Sequence, residues 1–229
     1  MRGGFRLKIS AVVPAAGQSR RMGRPKLILP VEGRAVIARV VSALRGGGID
    51  PVVVVAPPRG DPGAVAVFQQ AMDAGAVAVY CPRATAEMRE TVEHGLEVLE
   101  RLAPDFEGLM IAPGDSVGLT PNVVSQIRRR FQLEGRSIVV AAHGGKRGHP
   151  LAIPRDLAQS IRQLPKDQGI NALLATDPGR VVVQEVAEPG VLLDLDTPED
   201  YRHWADSETG SNDPTKTDSG AGDFPIPSD

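Results

Sequence analysis

Gly17, Arg21, Gly23 and Lys26 follow directly on the apolar run Ile9 to Val13, in the stretch Pro14-Ala15-Ala16-Gly17-Gln18-Ser19-Arg20-Arg21-Met22-Gly23-Arg24-Pro25-Lys26. An apolar strand that delivers its backbone to glycine turns leaves room for phosphate oxygens, and fixed basic side chains at the same mouth neutralise them. The chemistry this suits is the binding of a polyphosphate anion, hence a nucleotide. A solvated basic loop of Arg20, Arg21, Arg24 and Lys26 is the competing reading. Neither of the better known nucleotide signatures is present: Gly145-Lys146 is followed by Arg147, not by a hydroxyl residue, and no G-x-G-x-x-G follows a strand.

Two acidic sites stand in comparable places. Asp115, presented by Pro113-Gly114 after Leu109-Met110-Ile111-Ala112, is placed to hold magnesium against phosphate oxygens, or equally to cap the turn before Thr120-Pro121. In Asp194-Leu195-Asp196-Thr197-Pro198-Glu199-Asp200, an extended segment points Asp194 and Asp196 to one side, where either completes such a site. Thr197, Pro198 and Asp200 read as a helix start. His149, in Gly148-His149-Pro150, is either a contact to a second substrate or a turn histidine bonded to backbone. His94, His143 and His203 read as surface residues, and no H-E-x-x-H indicates zinc.

The elements that must position these residues alternate. Apolar runs at Leu7 to Val13, Pro51 to Ala56, Ala76 to Tyr80, Gly108 to Ala112, Ser137 to Ala142 and Arg180 to Val186 read as strands. Helical periodicity falls at Ala35 to Leu44, Pro62 to Ala74, Ala86 to Leu102, Pro121 to Leu133, Pro154 to Leu164 and Pro198 to Ala205. Such alternation predicts an α/β fold, a three-layer, doubly wound and mostly parallel sheet with its ligands beyond the carboxyl ends of the strands. Both the Gly17 to Lys26 loop and the Asp115 turn would open there.

The chain of 229 residues suits one large domain, residues 1–206, followed by a Ser/Thr/Asp/Gly/Pro-rich tail, 207–229, expected to be disordered. Within that tail Phe224-Pro225-Ile226-Pro227 is either a docking motif or inert. With 26 basic against 28 acidic side chains, no broad footprint for nucleic acid or membrane is expected. Aromatics at 3% leave little to stack single-stranded bases on. The lone Cys81 makes neither an intrachain disulfide nor a C-x-x-C pair. Without a hydrophobic signal region or a membrane-length apolar stretch, a cytoplasmic location is expected.

Taken together, these residues resemble the molybdenum cofactor cytidylyltransferases, within a wider group that includes the molybdopterin guanylyltransferases. That family opens with L-A-A-G-x-S-x-R-M-G-x-x-K, matched here from Pro14 to Lys26. Leu27-Ile28-Leu29-Pro30, Gly33, Met88 to Leu96, Gly114-Asp115, Leu119-Thr120-Pro121, Gly148-His149-Pro150 and Asp194 to Asp200 extend the likeness over about residues 9 to 204. The resemblance implies a nucleotide-diphospho-sugar transferase-like fold and a nucleotide site at Ala15, Ala16, Gly17, Arg21, Gly23, Lys26 and Thr91. Arg21, Lys26 and Asp115 would be catalytic, and Asp115 and Asp196 would hold Mg2+, with Asp194 the weaker candidate. Gly148 and His149 would meet the acceptor. The implied reaction moves CMP or GMP from CTP or GTP to a phosphorylated small molecule, foremost molybdopterin, and releases pyrophosphate. A molybdoenzyme would be the partner. The alternatives are a sugar- or alcohol-phosphate nucleotidyltransferase and a non-catalytic cofactor carrier.

The chain departs from the family in three places. Ser116-Val117-Gly118 follows Asp115 where relatives carry a nearby proline, Pro14 precedes the first alanine, and Met88-Arg89-Glu90-Thr91 replaces a serine-rich stretch. The last change is expected to bring a charged pair close to the base.

Overall fold

A computed structural model describes residues 7–84, 87–165 and 168–209. Its first strand is β1 (Ile9–Pro14), with every residue buried. Around it lie β4 (Val52–Ala56), β5 (Val77–Tyr80), β6 (Gly108–Ile111), β7 (Ile138–His143), β8 (Lys146–Pro154) and β9 (Val181–Glu185), in the order β5-β4-β1-β6-β8-β7-β9. A small hairpin of β2 (Pro30–Val31) and β3 (Arg34–Ala35) stands apart. Parallel pairing joins β5, β4, β1 and β6, and also β7 and β9. Only β8 runs against its neighbours.

The helices α1 (Val36–Gly46), α2 (Ala64–Asp73), α3 (Met88–Leu102), α4 (Pro121–Glu134), α5 (Arg155–Ser160), α6 (Ala172–Thr176) and α7 (Pro198–Thr209) cover both faces of this sheet. Val36, Ile37, Val40, Val41 and Leu44 of α1, with Val123, Ile127 and Phe131 of α4, pack on one face. Val92, Leu96 and Leu99 of α3 and Ile161 after α5 pack on the other. Strands buried from both sides read as unbroken apolar runs, which is why Val52-Val53-Val54-Val55-Ala56 lacks alternation. Each such side chain contributes roughly 1.5–3 kcal/mol by leaving water. The three-layer, doubly wound, mostly parallel sheet is therefore as the sequence predicts.

The strand expectations lie within two residues of the observed ends. Four elements escape the expectations: the hairpin strands β2 and β3, β8, and α6. The β8 strand absorbs Gly148-His149-Pro150, so His149 is not in a turn, and the extra strand carries the start predicted for the helix at Pro154 on to Arg155. The short α6 shows no full helical period. Residues 207–209 complete α7, and residues 210–229 of the expected tail lie outside the described residues. Among the described residues no helix is long and apolar enough to cross a membrane.

Beyond β9 a strap, residues 186–197, crosses back over the carboxyl edge of the sheet. It passes Gly148 so closely that a Cβ there would stand 2.0 Å from the Val191 carbonyl oxygen. Gly148→Ala is expected to lower stability by about 1–3 kcal/mol through this overlap, a melting point several degrees lower. An unchanged thermal melt would mean that the strap yields without cost.

Candidate active site

β1 ends at Pro14, and the loop that follows is held from several directions. The Ala15 N–H donates to the Val55 carbonyl at 3.0 Å, and the Ser19 carbonyl accepts from Met22 and Gly23 at 3.1 and 3.2 Å. Met22, 5% exposed, and Leu27, also 5%, anchor the loop in the core, leaving Gly17, Gln18 and Arg21 outward. Gly23 has φ +67°, a conformation that costs residues with a Cβ, so the glycine at this turn is a backbone requirement. The Ser19 hydroxyl accepts from the Lys26 N–H at 3.3 Å, fixing where the lysine leaves the backbone.

The Asp115 turn is tied to this loop by its own backbone: Gly114 N–H donates to the Pro14 carbonyl at 3.0 Å. The strap is tied to Asp115 in turn, since Leu195 N–H donates to the Asp115 carbonyl at 3.2 Å. Its next residue, Asp196, is oriented by a reciprocal helix cap. The Asp200 carboxylate accepts from the N–H groups of Asp196 and Thr197, and the Thr197 hydroxyl accepts from Asp200 N–H at 3.2 Å. Thr197, Pro198 and Asp200 thus start α7 as the sequence predicts, and the same cap sets the backbone of a site residue.

These ties bring four side chains together from distant parts of the chain. The Lys26 ammonium lies 2.5 Å from Asp115 Oδ2 and 2.9 Å from Asp196 Oδ1, and the Arg21 guanidinium lies 2.9 Å from Asp196 Oδ2. The Lys26 side chain is only 12% exposed, Asp115 19% and Asp196 37%. Burial disfavours the Lys26 ammonium, but the Asp115 and Asp196 carboxylates outweigh it and raise its pKa. The hydrogen bond from Lys26 holds the Asp196 carboxyl below the ordinary aspartate range against its burial, with Arg21 adding to the effect.

A cavity of about 340 Å3 opens over this cluster. Its walls include Ala15, Ala16, Gly17, Arg21, Lys26, Thr91, Asp115 and Asp196, the greater part of the residues predicted from sequence. Gly23 lies instead on a second cleft of about 370 Å3 on the other side of the loop, with Pro57, Asp61 and Val67. Met88 and Glu87 line the first cavity and were not singled out as contacts. Helical spacing points to Met88, because positions i and i+3 share a face and Thr91 stands three residues further along α3. The same spacing turns Arg89 away. Arg89 is 8% exposed and donates to the carbonyls of Leu164 and Pro165 at 2.8 and 2.7 Å, so the charged pair expected near the base does not form there.

Gly148 and His149 lie on neither of these spaces. They line a third cleft of about 420 Å3 with Arg147. Burial lowers the His149 pKa, against the opposing charges of Asp194 and Asp115, and its Nδ1 is buried without a hydrogen-bond partner among the described residues. The backbone bond expected of a turn histidine is therefore not made at Nδ1. Asp194 faces Ser116, whose hydroxyl donates to it at 3.4 Å. Burial raises its pKa, and Asp115 adds to the rise. Among the described residues no three His, Cys, Asp or Glu side chains form a ready metal cage. The oxygen pair of Asp115 and Asp196, converging on one cation, is nevertheless the hard donor type that suits magnesium when phosphate oxygens and water complete the shell.

The family model described as the MobA-like NTP transferase domain matches residues 11–182. The chain belongs to this family. Among its relatives is a 2-C-methyl-D-erythritol 4-phosphate cytidylyltransferase of Saccharopolyspora erythraea, 30% identical over 58% of the chain and 59% of that protein. The molybdenum cofactor cytidylyltransferase of Escherichia coli is 24% identical over 84% of the chain and 93% of that protein. A solved structure, Rv0371c of Mycobacterium tuberculosis in complex with manganese, is 25% identical with a TM-score of 0.68, covering 87% of the chain and 99% of its own. As a MobA-like NTP transferase the chain is a nucleotidyltransferase by class. Its matched segment ends at residue 182, before the strap that supplies Asp196.

Proposed function

We propose that the protein transfers a cytidylyl group from CTP to a phosphorylated acceptor, foremost molybdopterin, and releases pyrophosphate. The observation that carries the reading is the convergence of Arg21, Lys26, Asp115 and Asp196 on one cavity walled by the loop after β1. Two basic groups beside two carboxylates suit a triphosphate with a divalent cation, and two of the relatives are cytidylyltransferases.

In this reading the Ala15 to Gly17 backbone and Thr91 border the base and sugar, while Arg21 and Lys26 turn from the carboxylates to the phosphates. Asp115 and Asp196 would hold Mg2+, which would supply Lewis-acid charge to the triphosphate. An oxygen of the acceptor phosphate forms a bond to the α-phosphorus as the bond from that phosphorus to the β-bridging oxygen breaks. Lys26 and Arg21 take up the charge that develops on pyrophosphate. The attacking phosphate is already an anion, so no side chain needs to remove a proton. Orientation within the cavity supplies much of the remaining advantage.

The test is pyrophosphate release by the purified protein with magnesium, each of CTP and GTP, and each of molybdopterin and 2-C-methyl-D-erythritol 4-phosphate. The product is then weighed by mass spectrometry. CTP with molybdopterin is expected to give a product heavier by one cytidylyl group. The erythritol phosphate is the competing acceptor because a relative at 30% identity carries its name. Tight molybdopterin binding with no pyrophosphate under any pairing would overturn the reading in favour of a carrier.

A further inference from the structure

The sheet has two outer strands, and they differ. β5 ends the order β5-β4-β1-β6-β8-β7-β9, so its outward N–H and C=O groups face no neighbouring strand among the described residues. Its sequence, Val77-Ala78-Val79-Tyr80, holds no charge and no proline, and its register with β4 is unbroken. Edge strands that remain unpaired are ordinarily blunted by charge, proline or a bulge. β9 at the opposite edge is blunted in this way, with Glu185 within it and Arg180 immediately before it.

Apolar side chains flank β5 on both faces. Val77 and Val79 lie on the face that α3 covers, and Ala78 and Tyr80 on the face that α2 covers. There Phe68 of α2 stacks on Tyr80 with ring centroids 4.5 Å apart. Val65, Phe68 and Met72 stand at i, i+3 and i+7, one stripe of α2, while Ala64, Val67 and Ala71 face the sheet. α1 packs along the inner flank of α2, so the stripe looks outward past the edge strand. Val65 is 58% exposed, Met72 48% and Val77 38%. Charge is divided between the two ends. Arg59 lies 5.9 Å from the Tyr80 ring centroid at the carboxyl end of β5, and Asp73 closes α2 at the amino end, its carboxylate accepting from Gln69 at 2.8 Å. Neither makes an ion pair among the described residues, whereas the nearby Arg83 and Arg45 are taken by Glu90 and Asp50.

We propose that this edge is the interface of a symmetric homodimer, in which β5 pairs antiparallel with β5 of a second copy and the two α2 stripes pack across the two-fold axis. The division of charge selects this occupant. A reversed copy of the same edge sets Arg59 against Asp73 of the partner subunit and Val65 against Met72 of the partner subunit, each contact made twice. A copy laid parallel would set like charges together. The spacing fits as well. α2 packs over both β4 and β5, about half a strand spacing inside the edge, so the two copies of α2 stand about 10 Å apart across the axis, the separation of packed helices. The pairing joins both sheets into one and leaves neither β5 edge open. No residue of β5 or α2 lines the cavity over the ion cluster, so both cavities remain accessible in the dimer.

The experiment is sedimentation velocity on the full chain from about 1 to 100 µM. It compares the wild type with Val77→Lys, Arg59→Glu, Asp73→Arg and the variant carrying both charge reversals, after a thermal melt shows that each is folded. Arg59 and Asp73 are exposed, so the charge variants retain the test if Val77→Lys unfolds. The wild type is expected to dimerise with a Kd of about 10 µM. Val77→Lys is expected to weaken the dimer about tenfold or more, because it charges the paired edge in both copies. Each single reversal is expected to raise Kd about tenfold, and the double reversal to return it to within about threefold of wild type. A wild type that stays monomeric throughout overturns the proposal. A dimer that neither Val77→Lys nor the single reversals weaken overturns it too, since its interface lies elsewhere. Single reversals that weaken the dimer without rescue by the double overturn the antiparallel two-fold.

Discussion

Asp115→Asn is expected to lower turnover roughly a thousandfold, about 4 kcal/mol of transition-state stabilisation, while the protein stays folded. Asparagine preserves the volume of the side chain and still accepts a hydrogen bond from Lys26, so the turn tied through Gly114 to Pro14 keeps its shape. What is lost is one of the two negative charges that converge on a cation. Turnover, Mn2+ affinity in the presence of CTP, and a thermal melt together decide the case. Turnover and Mn2+ affinity are expected to fall together while the melt moves by no more than a few degrees. Wild-type activity in a folded variant would remove Asp115 from the reacting centre.

Lys26→Ala is expected to act on binding, turnover and stability at once. Without the ammonium the triphosphate loses a buried cation, and turnover is expected to fall about a hundredfold to a thousandfold, with CTP affinity falling as well. The folded protein also keeps two carboxylates that face one another without the charge between them. A fully buried pair broken in this way costs about 3–5 kcal/mol, but solvent reaches Asp196, so about 1–2 kcal/mol is the expected loss. The pH dependence of that loss has a defined sign. Lys26 has its pKa raised, so its stabilisation is present at neutral pH and disappears only as pH rises through the folded value. Asp196 has its pKa lowered, so its share is present above the ordinary aspartate range and is lost as pH falls through the folded value. Between those limits the difference between wild type and variant is greatest, and it should narrow in acid as Asp196 protonates. Denaturant melts at pH 7 and pH 3 measure it, and an equal difference at both would exclude the ion cluster as its source.

The sheet was legible in the sequence because its central strands are buried on both faces and so appear as continuous runs of Val, Ile, Leu and Ala. The β8 strand was not legible for the opposite reason: its first half, Lys146-Arg147-Gly148-His149, is polar and lies at the cleft edge, and only its second half is core. The four residues of the ion cluster were each legible, Arg21, Lys26 and Asp115 because they follow strands and Asp196 through the family resemblance, but as phosphate and metal contacts rather than as partners of one another. Spacing could not tell that Lys26 would bridge the two aspartates, because 89 and 170 residues separate the partners. Nor could it tell that Arg89 would turn to the Leu164 and Pro165 carbonyls, a contact made across the fold. Gly148 and His149, expected at the acceptor, line a cleft apart from the triphosphate cavity.

The strap has one more implication. Asp196 reaches the centre through a segment outside the sheet, secured by the Leu195 to Asp115 hydrogen bond, by the Asp200 cap and by close passage over Gly148 and Gly118. Segments held by few bonds open at lower free energy than the strands beneath them. A protein whose strap has lifted would keep its secondary structure and most of its core, and would have lost half of its paired carboxylates. Inactivation on mild heating should therefore run ahead of unfolding, like a clasp that springs before the case gives way.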